Sequence, residues 1–257
     1  MHLKVTTSAQ LVMDNIAAKY AKSGVAGTDN APWLAADMMA FAKTYPETAN
    51  QLSAAQKQAM VDEAIGTLET SQAPSVLAKN IIAMVAMGYD PANLTTSSGE
   101  PLDAAAKLAA MVDDETNTSV TYIYTLPFVM IALQEFGDSY SAELEKLAFS
   151  ATSQALDNGG WGYAYQGVEY FDADATSFVL QALAPYFNVD GFESVTSAIN
   201  QSKDALYRNL TFNENGSVIA YGNPSAESTA QLIVALSALG LDTKDSMFGK
   251  NLSTGLV

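Results

Sequence analysis

Residues 174–187 read DATSFVLQALAPYF, a segment that is rich in small residues, apolar on nearly all sides and interrupted near its end by Pro. Four other segments have the same character: WLAADMMAFAKTY (33–45), VLAKNIIAMVAMGYD (76–90), TLPFVMIALQEFGD (125–138) and ESTAQLIVALSALGLD (227–242). Their recurring alanines stand at positions 40, 83, 132, 182 and 235, so the spacings are 43, 49, 50 and 53 residues. A repeat of this length has the size of a helical hairpin.

Segments of a second kind lie between these apolar ones. Residues 53–70 begin with a capping box, Ser53 followed by Gln56, and continue with an apolar stripe on one side only. The same i, i+3, i+4, i+7 spacing recurs in two later segments, at Leu144, Leu147, Ala148, Ala151 and Ala155, and at Val195, Ala198, Ile199 and Ser202. A stripe on one side indicates an outer helix, whereas a segment that is apolar all round indicates an inner one.

The alternation of outer and inner helices predicts an all-α protein built as a barrel of helical hairpins. We expect the inner helices near residues 32–43, 75–88, 125–136, 174–186 and 226–239. Residues 163–171 and 218–221 alternate weakly between apolar and polar side chains. Both stretches fall between predicted helices, so we interpret them as connecting loops.

The composition excludes several classes of function. Lys and Arg together number 12 and Asp and Glu 28, which gives a formal net charge of −16. Such a surface repels nucleic acid and anionic membranes. The apolar runs are too short to insert in a bilayer, and the opening residues lack the apolar centre of a signal peptide. There is no cysteine, which excludes disulfides and Cys-ligated metal sites, and no cofactor is expected.

One motif suggests a family. The turn Gly-Gly-Trp-Gly (159–162), preceded by Gln154 and followed by DADAT and an Ala-rich helix, resembles the repeats of squalene–hopene cyclases and protein prenyltransferases. The stretch 222–242 looks still more like secreted bacterial surface proteins with such repeats. The resemblance implies an α/α toroid, a barrel of about five to six hairpins, as one domain over residues 1–257. It also implies an extracellular or cell-surface location and further domains in the parent protein.

Two departures from the family pattern matter. Four residues separate Gln154 from Gly159, where the cyclase repeat usually has three. Only five complete outer–inner pairs are visible, and residues 245–257 look like the start of a sixth outer helix without its partner. The ring is therefore expected to be incomplete at the C-terminus.

Asp172 and Asp174 are the candidate acids. The resemblance places Asp174 at the position of the acid that protonates an alkene in the cyclases, but Ala175 replaces the last Asp of that motif. Such an acid needs hydrogen-bonding neighbours and a dry apolar cavity. The structural alternative is that Asp172 or Asp174 caps the helix, where a carboxylate accepts free backbone N–H groups. Glu227, with Ser225 and Ser228, has the same place in the next repeat, as capping predicts.

Other activities of the resembling families are excluded. A prenyltransferase needs zinc ligands and basic residues for a diphosphate, yet the chain has no Cys and its one His is His2. The sole Arg, Arg208, falls on a predicted outer helix, and the inner helices contain only Lys43 and Lys79. The thioester domains of complement proteins share the same toroid, but a thioester cannot form in this chain because it has no Cys. Calcium remains a possible ligand for Asp157, Asp172 and Asp174, although nothing has EF-hand spacing.

The loops that lead into the inner helices carry aromatic and polar side chains suited to binding. These candidate ligand-binding residues are Tyr122, Tyr124, Trp161, Tyr163, Tyr165, Tyr170, Asp172, Asp174, Tyr221, Asn223 and Glu227. Tyrosines with polar tips beside carboxylates suit a small molecule, a carbohydrate or a peptide. The alternative is that Trp161 and the tyrosines pack the loops onto the helices. The sequence therefore predicts a non-catalytic binding module; the rival hypothesis is a terpenoid-cyclase-like enzyme with Asp174 as general acid.

Overall fold

The computed structural model describes residues 54–256, so the predicted helix at 32–43 and the capping residue Ser53 lie outside the described part. Eight α-helices fall within that range: α1 (Ala54–Thr70), α2 (Pro74–Ala86), α3 (Ala104–Asp113), α4 (Leu126–Gln134), α5 (Ser141–Ser153), α6 (Ala173–Leu183), α7 (Glu193–Asn209) and α8 (Ala226–Ala238). The predicted all-α class is confirmed. Between residues 54 and 256, no helix is long and apolar enough to cross a membrane.

The segments predicted as inner helices are helical in the structure, as α2, α4, α6 and α8, and α6 continues into a 3₁₀ turn over Ala184–Tyr186. The one-sided stripes also pack inward. Leu144, Leu147, Ala148 and Ala151 are buried on α5, and Val195, Ala198, Ile199 and Ser202 are buried on α7. The outer stripes therefore have the burial that their spacing predicts, except at Ala155, which is partly exposed beyond the end of α5. The segments predicted to be apolar on all sides are not buried on all sides, since Val76 on α2 and Val234 on α8 are exposed.

Three short antiparallel hairpins connect the helices. They pair β1 (Leu94–Thr95) with β2 (Pro101–Leu102), β3 (Gly162–Tyr165) with β4 (Val168–Phe171), and β5 (Val218–Ala220) with β6 (Asn223–Ser225). The prediction that 163–171 and 218–221 are plain loops is therefore wrong in detail. The two later hairpins close through two-residue turns, Gln166-Gly167 and Tyr221-Gly222, in which both residues have positive φ.

The C-terminal segment differs from the predicted sixth outer helix. It forms turns and then a 3₁₀ helix over Leu252–Leu256. Gly249 has a φ of +65°, which ends any α-helical run. Gly255 lies so close to the Gly216 backbone that a Cβ atom would collide with it, and this segment also packs against α8.

The chain forms two compact units. The first comprises residues 1–114 and 131–137, of which the structure describes 54–114 and 131–137. In it α1 packs on α2 and α2 packs on α3. The Lys107 ammonium donates to the carbonyls of Leu68 and Glu69 at the end of α1, both at 2.9 Å, and Asp103 caps α3 through the Ala106 N–H. The buried side chains include Leu68, Leu77, Ile81, Met84 and Leu108.

The second unit comprises residues 115–130 and 138–257 and holds the candidate site. Helix α6 packs against α7 and α8, and α7 also packs against α5. Phe128 of α4 meets Phe178 of α6 edge to face, with ring centroids 4.3 Å apart. Among its fully buried side chains are Leu147, Leu180, Leu183, Ile199 and Leu236.

Candidate functional site

The Gly-Gly-Trp-Gly turn anchors the β3–β4 hairpin to the helices. Trp161 is fully buried, and its indole N–H donates to the Ala151 carbonyl on α5 at 2.7 Å. Its backbone N–H donates to the Thr176 hydroxyl at 2.9 Å, and that hydroxyl donates back to the Trp161 carbonyl at 3.0 Å. The Gly160 N–H donates to buried Ser202 on α7. Gly159 has a φ of +83° and lies against a backbone carbonyl, so no other residue fits there without movement.

The β5–β6 hairpin is anchored by the same kind of bond from a backbone N–H to a helix threonine, although this threonine donates to a different carbonyl. The Val218 N–H donates to the Thr229 hydroxyl at 2.9 Å, and that hydroxyl donates to the Ser225 carbonyl. Gly216 has a φ of +90° and lies two residues before Val218, as Gly159 lies two residues before Trp161. Ser217 donates to the Gly255 carbonyl at 2.8 Å. The two hairpins are therefore repeats of one structural unit.

Helix caps place the first acidic residue. The Asp172 carboxylate accepts the backbone N–H groups of Asp174 and Ala175, both at 3.0 Å, and so caps α6. Ser225 caps α8 by accepting the Ser228 N–H at 3.1 Å. Of the two candidate caps on α6, Asp172 is the one that does the capping. Asp174 lies in the first turn, where its charge is favourable to the helix dipole.

Asp174 and Glu227 occupy the same position in the first turns of α6 and α8. The Asp174 residue is exposed to solvent, yet nearby protein atoms partly desolvate its carboxyl group. This desolvation raises the pKa of Asp174; the charges of Asp172 and Glu227 raise it further, while a hydrogen bond with the Ser228 hydroxyl lowers it. Three carboxyl groups thus lie at one end of two adjacent helices and give that end negative charge, and the charges of Asp172 and Glu227 make it harder for Asp174 to lose its proton.

Tyr124 and Tyr122 lie next to these carboxyl groups, Tyr124 by a hydrogen bond to Asp172 and Tyr122 by contact with the Tyr124 ring. The Tyr124 hydroxyl donates to Asp172 at 3.0 Å. Desolvation and the Asp172 charge raise the pKa of Tyr124, so its hydroxyl stays protonated and keeps donating. The Tyr122 ring lies 5.4 Å from that of Tyr124, and Tyr122 itself is exposed. Tyr163 lies near enough to contribute to the pKa shift of Tyr124.

The β3–β4 hairpin turns a tyrosine-rich face to solvent. Tyr163 pairs across the strands with Tyr170, and Tyr165 pairs with Val168, so all four side chains lie on one face. Their exposed fractions are 53, 41, 60 and 52 % respectively. The rings of Tyr163 and Tyr170 stack with centroids 5.0 Å apart and planes 11° apart. We call these four side chains the tyrosine face.

Tyr221 stands at the tip of the second hairpin. It is fully exposed and has a φ of +51°, a conformation that bulky residues adopt at a cost. Asn223 donates to the Tyr221 carbonyl through a long contact of 3.4 Å. Folding therefore explains the turn but not the aromatic side chain.

The other candidate residues are placed as follows. Trp161 is wholly enclosed, so its side chain offers no surface to a ligand. The Asp157 backbone N–H donates to the Glu169 carboxylate on β4 at 3.0 Å, which ties the loop before the hairpin to its second strand. Over residues 54–256, no group of three or more acidic or histidine side chains is arranged to hold a metal ion.

Sequence reasoning missed the threonines that anchor both hairpins. The signal is present in the segments Asp172-Ala-Asp-Ala-Thr176 and Ser225-Ala-Glu-Ser-Thr229, in which a capping residue is followed four residues later by Thr.

Comparison with known proteins gives no family: no protein-family profile matches the chain, and no curated protein or solved structure matches it. The function must therefore be argued from the site itself.

Proposed function

We propose that this chain is a non-catalytic binding module and that the tyrosine face, together with Tyr221 at the tip of the next hairpin, contacts the ligand. The observation that carries the proposal is the hairpin face on which Tyr163, Tyr165, Val168 and Tyr170 are all exposed together. Contiguous apolar surface of this kind is usually a site of interaction. The base of the hairpin is anchored, since Trp161 is buried and Phe171 packs over Gly160. On the face opposite the tyrosines, Glu169 accepts the Asp157 N–H, although Glu169 and Ala164 are themselves exposed.

The site is fitted for binding because its parts are held in place. Asp172 is fixed by two backbone N–H groups and by Tyr124. Aromatic rings on a rigid hairpin lose little conformational entropy when a ligand arrives. The proposed site therefore combines rigid ring surfaces with carboxylates at a helix end.

One observation favours the rival enzyme hypothesis. Desolvation raises the pKa of Asp174, as a general acid requires. Against this, Asp172 is occupied as a cap and as the acceptor of Tyr124, so it does not donate to Asp174. The Ser228 hydroxyl stabilises the charged form of Asp174 and so opposes the rise in pKa that would keep this carboxyl group protonated, as a general acid must be. We therefore place the binding module first and the acid catalyst second.

We also propose that the repeated unit belongs to an α/α toroid of the cyclase-like kind, carried by a secreted or cell-surface bacterial protein. The support is the recurrence of one anchoring scheme in two successive hairpins, together with the alternation of outer and inner helices. A solution-scattering profile that fits an extended chain of helical pairs better than a ring would contradict the toroid.

The binding proposal is tested by screening the purified chain against arrays of peptides and of oligosaccharides. The variant Tyr163→Ala/Tyr165→Ala removes two rings without changing the charge. Tyr207→Ala is the control, because Tyr207 is equally exposed but lies on α7. We expect ligands retained by the wild type and by Tyr207→Ala to be lost by the double variant. The proposal would be contradicted if every ligand found binds all three proteins equally well, or if no ligand binds the wild type.

A further inference from the structure

The geometry points to a cationic peptide segment as the ligand of the tyrosine face, with arginine side chains stacked on the rings. This inference rests on the proposed function, since it names the ligand of the same surface. It is carried by three observations: the charge around the hairpins, the spacing of the rings, and the exposed Tyr221.

The two hairpins and the helices that follow them carry charge of one sign. Residues 147–202 and 209–243, which include both hairpins and α6 and α8, contain no Lys or Arg. The same stretches supply Glu169, Asp172, Asp174 and Glu227. Arg208, on α7, donates to the Asn158 carbonyl at 2.6 Å in the loop before β3. A positively charged ligand is therefore attracted to this end of the unit, and an anionic one is repelled.

The rings suit arginine in particular. The faces of aromatic rings carry negative potential, and a planar guanidinium both stacks on them and bonds carboxylates. Tyr163 and Tyr165 are two residues apart on one strand, so their side chains emerge about 7 Å apart. Alternate side chains of an extended peptide have the same separation. An extended segment of the form Arg-Xaa-Arg thus places successive guanidinium groups over successive rings.

Tyr221 gives the peptide a second contact. It projects from the hairpin before α8, whose N-terminal turn adjoins that of α6 through Ser228 and Asp174. Gln166 has the same φ of +51° at the equivalent turn position, so what distinguishes Tyr221 is its fully exposed aromatic ring. A ligand that extends beyond the first hairpin would cover this ring.

The test uses fluorescence anisotropy at physiological salt with a labelled octapeptide of alternating Arg and Gly. Two matched peptides carry Gln or Glu in place of Arg, and a neutral glucose hexasaccharide competes in a separate arm. We expect the Arg peptide to bind at least about tenfold more tightly than the Gln peptide, and the Glu peptide not to bind. Tyr163→Ala/Tyr165→Ala should weaken Arg-peptide binding about tenfold, whereas Tyr163→Phe/Tyr165→Phe and Tyr207→Ala should not.

The remaining outcomes separate this inference from the proposed function. If the double alanine variant, confirmed to be folded by its melting curve, binds the Arg peptide as well as wild type does, net charge alone attracts the peptide and the inference fails. If the hexasaccharide binds and the double variant loses it while the Arg peptide does not bind, the inference fails and the proposed function stands. If neither probe binds, the cationic-peptide inference is overturned, and the array screen decides the proposed function.

Discussion

The two hairpins of the second unit share their anchors and differ in what they expose. In each, a glycine with positive φ is followed two residues later by a residue whose N–H donates to a helix threonine, Thr176 or Thr229. The anchored residue is Trp161 in the first hairpin and Val218 in the second, and both are buried. Outside these anchors the hairpins diverge: the first carries the tyrosine face, and the second carries one aromatic residue at its tip.

This difference separates side chains that build the fold from side chains that are free for function. The anchors recur because each hairpin must satisfy its buried N–H groups before it can lie against the helices. The exposed tyrosines do not recur, so folding does not require them. The comparison predicts that substitutions at the anchors change stability and that substitutions on the tyrosine face change binding.

The largest effect is expected at Trp161. Trp161→Ala leaves a large cavity and removes the donor to the Ala151 carbonyl, which should lower the free energy of unfolding by about 3–5 kcal/mol. Val218→Ala, at the equivalent position, removes less buried surface and should cost about 2 kcal/mol. Urea denaturation of the two variants measures both values. Equal losses would mean that the two hairpins are not held by the same kind of packing.

The threonine anchors should have intermediate and matching effects. Thr176→Val and Thr229→Val keep the side-chain shape but leave the buried N–H of Trp161 or Val218 without its acceptor, at a cost of about 1–3 kcal/mol each. Thr→Ser at either position keeps the hydroxyl and serves as the control. Denaturation curves that show a loss at only one of the two threonines would break the equivalence of the hairpins.

The smallest effect is expected at Asp174 and depends on pH. Because its pKa is raised in the folded chain, the folded state holds this proton more tightly than the unfolded chain does. Stability attributable to Asp174 therefore falls as the pH rises from the ordinary value of 3.8 through the raised pKa. Asp174→Asn should remove this loss and stabilise the fold above that range, by only a few tenths of a kcal/mol because the residue is exposed.

An NMR titration of the Asp174 carboxyl group tests whether the first turns of α6 and α8 interact through their charges. Glu227→Gln removes one of the charges that raise the pKa of Asp174, so the carboxyl resonance of Asp174 should titrate at lower pH in this variant. Asp242→Asn is a control for the pH dependence of stability, because the stability that Asp242 contributes changes with pH in the opposite direction to that of Asp174. The N–H groups of Lys244 and Asp245 lower the pKa of Asp242, so its contribution is lost as pH falls. An unchanged Asp174 titration in Glu227→Gln would show that α6 and α8 are not electrostatically coupled.

The helices could be predicted because their signals are local. The all-round apolar segments of α6 and α8 and the stripe of α7 depend only on residue spacing along one helix. The helix α3 was not assigned from sequence, although Asp103 followed by an Ala-rich run is a normal helix start. The prediction that residues 245–257 begin a sixth outer helix rests on continuing the repeat, and it is wrong because Gly249 has a positive φ and Gly255 packs directly against the Gly216 backbone.

The candidate site could be predicted only as a set of residues. The sequence brings Tyr163, Tyr165 and Tyr170 into one stretch, but the register that puts them on one face depends on the turn at Gln166-Gly167. Which acid caps α6 depends on where the helix begins, and a shift of two residues exchanges the roles of Asp172 and Asp174. The packing of Trp161 against Ala151 joins separate elements, and no local pattern reports such a contact.

The turn at the tip of each hairpin has a consequence for how this protein can change over evolution. A Cβ atom added at Gly167 or Gly222 would meet nothing within 4 Å, and the distance along the chain between anchor and threonine is 15 residues in one hairpin and 11 in the other. The chain thus already contains a long and a short version of the same insert between fixed ends. Lengthening such an insert costs little loop entropy. The helical scaffold can therefore acquire new recognition surfaces by replacing hairpins, much as antibodies do by replacing loops.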